Sequence, residues 1–126
     1  MNRAVIGMGS NIDAARNVDA AITAIAQSHR LIAQSRLVQT KAIGPTPGAD
    51  YLNGAVLIET ALPREALIDS LKEIESQLGR HRTDDKYAPR TIDLDIVVWN
   101  DQVVDADVYE RNFLREAVVE VLGRLP

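Results

Sequence analysis

Apolar and polar positions along the chain alternate between two periods, one suited to strands and one to helices. Arg3–Met8 is a short apolar run closed by Gly7 and Gly9, which predicts a buried first strand. Ser10 and Asn11 offer side-chain oxygens that can cap a following helix. Ala15, Val18, Ile22 and Ile25 recur at spacings of three and four, predicting an amphipathic helix over residues 12–28. Leu31–Thr40 mixes apolar and polar residues as a partly exposed strand does, and Gly44, Pro45, Pro47 and Gly48 make residues 41–49 an irregular loop. Tyr51–Thr60 returns to strand alternation. Pro63 suits the first turn of a second helix, where its missing N–H would be unpaired anyway. Leu67, Leu71, Ile74 and Leu78 form the apolar stripe of that helix, and Gly79 fits the position just past its end. Thr91–Trp99 reads as a further strand, residues 100–106 as a turn or small hairpin, and residues 113–122 as a last helix.

The order β-α-β-β-α-β is that of a ferredoxin-like split unit, so the fold class is α+β with an antiparallel sheet and a short C-terminal helical addition. One domain over residues 1–126 is expected at this length. Both main helices should lie on one sheet face, leaving the other open for a ligand. A fold of this kind does not decide the chemistry.

Composition narrows the function. With 46% hydrophobic and 25% charged residues the chain is ordinary for a globular protein. Cysteine is absent, which excludes disulfides, thiolate metal sites and a cysteine nucleophile. The apolar run Ala4–Gly9 is too short for a signal peptide or a membrane span, so a soluble cytoplasmic protein is expected. Fourteen Lys and Arg against eighteen Asp and Glu give a net charge of −4. That balance disfavours a nucleic-acid partner, whose backbone is held by many Lys and Arg contacts, and equally a membrane surface. The charge is unevenly spread: between Arg80 and Arg90, four cations (Arg80, Arg82, Lys86, Arg90) face only Asp84 and Asp85. A cationic island on an acidic chain suits one compact polyanion, although a solvated loop with chance charges has the same appearance.

The most informative stretch is Lys86-Tyr87-Ala88-Pro89-Arg90-Thr91-Ile92-Asp93-Leu94-Asp95-Ile96. In a strand, Ile92, Leu94 and Ile96 share one face, and Thr91, Asp93 and Asp95 the other. Carboxylates at i and i+2 stand about 7 Å apart at Cα, close enough to converge on one hard cation or to bracket two. Magnesium is bound in this way, by one or two carboxylates together with substrate phosphates and water. The alternative is a solvent-exposed sheet face carrying ordinary acids. Arg90 enters the same strand, and Arg80, Arg82 and Lys86 come from the preceding loop, the mixture of cations and metal-binding acids that phosphoryl transfer requires. Glycine motifs say less. Gly7-Met8-Gly9 begins a dinucleotide fingerprint whose third position is Ile12, and no P-loop is present. Aromatics make up only 4% of the chain, and Tyr51, Tyr87 and Phe113 fall at element edges beside polar motifs. Two such rings could sandwich a flat heterocycle whose edge Asn53 could read, or they could simply pack the element edges. Trp99 reads as core, and His29 and His81 as isolated surface residues.

The run Lys86–Val97 resembles the signature of the 6-hydroxymethyl-7,8-dihydropterin pyrophosphokinase family, folate-pathway enzymes that move pyrophosphate from ATP to a pterin alcohol. The resemblance extends through Gly9-Ser10-Asn11, Asp50-Tyr51-Leu52-Asn53 and Leu78-Gly79-Arg80-x-Arg82, covering about residues 3–100 in the family's order. It implies the same ferredoxin-like fold and an enzyme using ATP as co-substrate. It further implies that Asp93 and Asp95 hold two Mg²⁺ ions bridging the phosphates, and that Arg80 and Arg90 contact the transferred phosphates. Arg82 and Lys86 would assist from a mobile loop, with Ile96 and Arg111 also at the nucleotide. Tyr51 and Phe113 would sandwich the pterin, Thr40, Ile43 and Asn53 would read its edge, and Tyr87 would close over it. Glu75 matches a helix position that helps order the site. No nucleic acid or membrane partner is implied, and a monomer or weak dimer is expected.

The chain departs from the family's pattern where a His-Pro or His-Tyr pair usually follows the metal strand, the His contacting an ATP phosphate. Asp105 and Ala106 stand there. The loop Thr40–Gly44 also lacks the family's usual proline. Two further classes therefore stay open: a divergent paralogue that binds pterin or nucleotide without efficient turnover, and an RRM-like RNA binder of the same element order. The second lacks its aromatic strand motif, since the third strand reads Leu52-Asn53-Gly54-Ala55-Val56.

Overall fold

A computed structural model describes residues 1–41, 48–80 and 91–126. The elements are β1 (Asn2–Ser10), α1 (Ala14–Ser28), β2 (Arg30–Gln34), β3 (Val38–Thr40), β4 (Tyr51–Thr60), α2 (Arg64–Gln77), β5 (Asp93–Trp99), β6 (Gln102–Val103), α3 (Asp107–Glu110) and α4 (Asn112–Leu122). The sheet runs β2-β4-β1-β5-β6, with β3 also on β4, and every pairing is antiparallel. This is the α+β, ferredoxin-like order expected from the sequence. Among the described residues no helix is long and apolar enough to cross a membrane.

Period-two alternation divides the sheet between two cores. Ala4, Ile6 and Met8 of β1, Val56 and Ile58 of β4, and Ile92 and Leu94 face Val18, Ala21 and Ile25 of α1 and Leu67, Leu71 and Ile74 of α2. Val5, Ala55, Leu57, Val97 and Val98 face the other way, onto Leu114, Ala117, Val118 and Val121 of α4. The second sheet face is thus half covered by the C-terminal helix, where the sequence predicted an open face. The reason lies in α4 itself, whose buried stripe needs an apolar partner that only this face supplies.

Smaller differences have local causes. The predicted strand Leu31–Thr40 breaks into β2 and β3 because the chain detours over Gly54. Ser35 replaces ladder contacts there, its N–H donating to the Ala55 carbonyl at 2.9 Å and its Oγ accepting the Ala55 N–H at 2.9 Å. Leu37 fills the space above Gly54, so closely that a Cβ there would fall 2.7 Å from its Cδ2. Ser10 does not cap α1. It is fully buried, and its hydroxyl approaches the Thr91 carbonyl at 2.6 Å, fastening the end of β1 to the approach of β5. Asp13, with φ 42°, precedes the first helical residue instead. The β5–β6 turn is Asn100-Asp101, both at positive φ (45° and 70°), the backbone of a two-residue hairpin suited to sheet twist.

Candidate active site

Strand register builds the site. Gly9 lies opposite Asp93 on one side and Asn53 on the other, and Gly7 lies between Asp95 and Ala55. One row across the sheet therefore reads Asp93, Gly9, Asn53, with no side chain in the middle. The bare backbone of Gly7 and Gly9 floors a cavity of about 480 Å³, within the range of small-molecule sites. Asp93 and Asp95 border it along β5, Tyr51 and Asn53 along β4, Thr40 and Lys41 at the end of β3, and Phe113 and Leu114 at the start of α4. Asp105, Asp107 and Arg111 line it from the segment before α4. Val97, two residues beyond Asp95, reaches the same face by alternation, and a register shift beside Ile6 brings Val98 to that face as well.

Thr40 is paired with Tyr51 across the β3–β4 ladder, and Asn53 Nδ2 donates to Thr40 Oγ1 at 2.6 Å. Asn53 is buried, and its Oδ1 overlooks Gly9. The amide is thus held by one end, with its acceptor toward the floor of the cavity.

Behind the acids stands a buried ionic arrangement. The last turn of α2 ends in a Schellman motif: Gly79, at φ 91°, donates its N–H to the Ser76 carbonyl, and the Arg80 N–H reaches the Glu75 carbonyl, both at 3.0 Å. That turn aims the Arg80 side chain back along the helix. Its Nη1 lies 2.6 Å from Glu75 Oε2 and 2.7 Å from Asp93 Oδ1. The same Glu75 oxygen accepts the Leu94 N–H at 2.8 Å, an amide on the side of β5 facing away from β1. Burial opposes the Arg80 charge, but the hydrogen bond and charge of Asp93, with those of Glu75, outweigh it and raise its pKa.

Among the described residues no cation is paired with Asp95 in this way. Although its tip is exposed at the cavity, the surrounding protein thins its hydration, and Asp93, Glu75 and Asp105 add negative charge. Its pKa is pushed up to about 7. A divalent cation would relieve that repulsion with the hard oxygen donors it prefers. Among the described residues no three acids or histidines converge as a complete metal cage. A cation at Asp93 and Asp95 would complete its shell with water and substrate oxygens, as magnesium does.

The cavity thus gathers Asp93, Asp95, Thr40, Tyr51, Asn53, Phe113 and Arg111 from the sequence-predicted set. Arg80 touches Asp93 from behind without bordering the cavity. Ile96 is not brought in: it sits partly buried against the α1–α2 core, the side on which its own alternation with Asp93 and Asp95 puts it. Ile43, Arg82, Lys86, Tyr87 and Arg90 lie outside the described residues. Lys41, Asp107, Leu114 and the glycine floor were not singled out as site residues. The floor alone carried a signal, two glycines at i and i+2 inside a strand. His29, expected at the surface, is buried, its Nδ1 2.9 Å from Thr60 Oγ1, and burial lowers its pKa.

Comparison with known proteins places the chain in a family. The family model for 7,8-dihydro-6-hydroxymethylpterin-pyrophosphokinase matches residues 5–123. A 2-amino-4-hydroxy-6-hydroxymethyldihydropteridine pyrophosphokinase from Pseudomonas putida is 39% identical over 106 residues, covering 82% of this chain and 87% of the relative. Proteins of the same name from Haemophilus influenzae and Bacillus subtilis are 31% and 30% identical, over 99% and 95% of this chain and 84% and 78% of their own. The fold is α+β with an acid-lined cavity on its sheet, and the family match makes the protein a transferase. The chain belongs to the 7,8-dihydro-6-hydroxymethylpterin-pyrophosphokinase family, enzymes of folate biosynthesis.

Proposed function

We propose that this protein transfers pyrophosphate from ATP to the hydroxymethyl group of 6-hydroxymethyl-7,8-dihydropterin in the cytoplasm, releasing AMP. The observation that carries the reading is the row Asp93, Gly9, Asn53, in which a carboxylate and a hydrogen-bonding amide face each other across an empty floor. Tyr51 and Phe113 both border the cavity, and a flat heterocycle would stack between them, with Asn53, held by Thr40, reading its edge. Ile43 and Tyr87 would complete that pocket. The substrate hydroxyl oxygen then bonds to the β-phosphorus of ATP while the bridge to the α-phosphorus breaks; AMP departs with the electron pair of that bridge, and the hydroxyl proton is released to water. Two Mg²⁺ ions held by Asp93 and Asp95 would spread phosphate charge and align the chain for this in-line displacement. Arg82, Lys86, Arg90 and Arg111 would bind the phosphate oxygens, Arg as a two-pronged donor and Lys as a point charge.

Incubating the protein with ATP, MgCl₂ and the pterin alcohol should yield AMP and the pterin diphosphate in equal amounts. AMP formation that does not depend on the pterin would refute the reading. A second reading, a paralogue that binds without efficient turnover, draws on Asp105, which sets another carboxylate beside the space proposed for the triphosphate. Pterin and nucleotide binding by calorimetry with no AMP formed would select it.

A further inference from the structure

Resting on that functional reading, we propose that Glu120 is a positioning residue for the heterocycle: from the end of α4 it accepts the Arg36 N–H, and so sets how far Phe113 stands from Thr40, Tyr51 and Asn53 across the cavity. The two walls come from different parts of the chain. Phe113 and Leu114 sit in the first turn of α4, whereas Thr40 ends β3 and Tyr51 and Asn53 lie on β4. Leu114, Ala117, Val118 and Val121 bury the helix against the sheet. Apolar contacts of this kind are non-directional, so they hold the helix down without fixing its slide or rotation. Glu120 supplies the direction: its Oε1 accepts the Arg36 N–H at 3.1 Å, and its Oε2 lies 3.6 Å from Arg36 Nε. The N–H is the fixed partner, since the Arg36 side chain is 81% exposed and an ion pair there is worth little. Ser35, just before it, is buried and bonded twice to Ala55 of β4, and Leu37, just after it, packs over Gly54. Next comes β3, whose Thr40 holds the Asn53 amide at 2.6 Å. Glu120 lies two turns beyond Phe113, about 10 Å along one continuous helix, so a bond at one end places the ring at the other. Arg124 also pairs with Asp101 of the β5–β6 turn, but it follows the left-handed turn at Gly123 and both side chains are more than half exposed.

The chain has a single phenylalanine, so ¹³C-phenylalanine labelling lets nuclear magnetic resonance observe Phe113 alone. Glu120→Ala should move the Phe113 ring resonances. It should also weaken binding of the pterin alcohol about three- to tenfold, the scale of one lost hydrogen bond, in calorimetry with MgCl₂ and a non-hydrolysable ATP analogue present. Glu120→Gln, whose amide oxygen still accepts the Arg36 N–H, should restore both. Arg36→Ala, which keeps the N–H and removes the guanidinium, should match the unaltered chain in both. Unmoved Phe113 resonances or unchanged pterin affinity in Glu120→Ala overturns the proposal. So does a Glu120→Gln variant no better than Glu120→Ala, or an Arg36→Ala variant that shares its defects. Should Glu120→Ala fail to fold, Glu120→Asp decides: a carboxylate one methylene shorter should move Phe113 and weaken pterin binding, and identity with the unaltered chain overturns the proposal. An unaltered protein that binds no pterin defeats the functional reading itself, a result distinct from the others because the Phe113 resonances still report on the helix.

Discussion

A methyl group on Gly9 would lie 3.0 Å from Asn53 Oδ1 and 3.7 Å from Tyr51 Cδ1. The strand could bear it, because the backbone keeps its ladder and only the amide must give way. Gly9→Ala should therefore fold normally but weaken pterin binding by about 1 kcal/mol or more, the scale of one hydrogen bond, as Asn53 swings off Thr40 or blocks the floor. Calorimetry with the pterin alcohol checks this, and unchanged affinity would remove Asn53 from the site. Asp105 carries a second residue-scale prediction. Its Oδ1 accepts the Asp107 N–H at 3.0 Å, while Arg111 pairs with Asp107 at 3.5 Å and Arg115 turns to the Tyr109 carbonyl and Asn112. Its charge therefore still faces the cavity. Asp105→His, restoring a donor where an anion stands, should tighten Mg·ATP-analogue binding about tenfold, equal to roughly 1.4 kcal/mol, and equal affinities would reject the account.

The end of α2 shows how an element delivers a side chain it does not itself contain. Gly79 has φ 91° and open space around its Cα, so alanine there meets backbone strain and no clash. Gly79→Ala should cost about 1–2 kcal/mol in denaturant unfolding and should also loosen Mg²⁺ binding, because Arg80 starts from the turn that glycine makes. Stability loss with metal affinity intact would separate the turn from the site. Gly79 was legible in the sequence because a glycine after an apolar stripe has one common structural use. Asp93 and Asp95 were legible because a strand has only two faces. The partnership of Arg80 with Glu75 was not, since it depends on how the last turn of α2 meets the start of β5. His29 was misread for a related reason: a lone polar residue after a helix gives no sign that Thr60 and Ser70 will cover it.

At the scale of the whole molecule, the sequence showed the ferredoxin-like order plainly, because six elements with clear periods follow one another in it. It did not show that α4 returns across the second face, since a helix's apolar stripe says that it packs and not on what. That return matters for function: α4 walls one end of the cavity with Phe113 and Leu114, while β5 and the segment before α3 bring Asp93, Asp95 and Asp105 to face one another. The resulting crowding of acids from separate elements makes stability depend on pH. Asp95 has an ordinary value of 3.8 and a folded value of about 7, so between these limits the folded chain binds more protons than the unfolded one. Stability from this group must then fall as pH rises through that window, the reverse of a salt-bridged carboxylate. Exposure of Asp95 to the cavity water moderates the size of the effect without changing its sign. Thermal melts of the metal-free protein from pH 4 to 8 should therefore show a decline that Asp95→Asn flattens, because an amide gains no charge as the pH rises. Mg²⁺ added near pH 8 should raise the melting temperature of the unaltered protein more than that of the variant, by neutralising the charge the fold has concentrated. Parallel pH profiles for the two proteins would show that Asp95 titrates as an ordinary surface acid and that the acids of β5 and its neighbours do not act on one another.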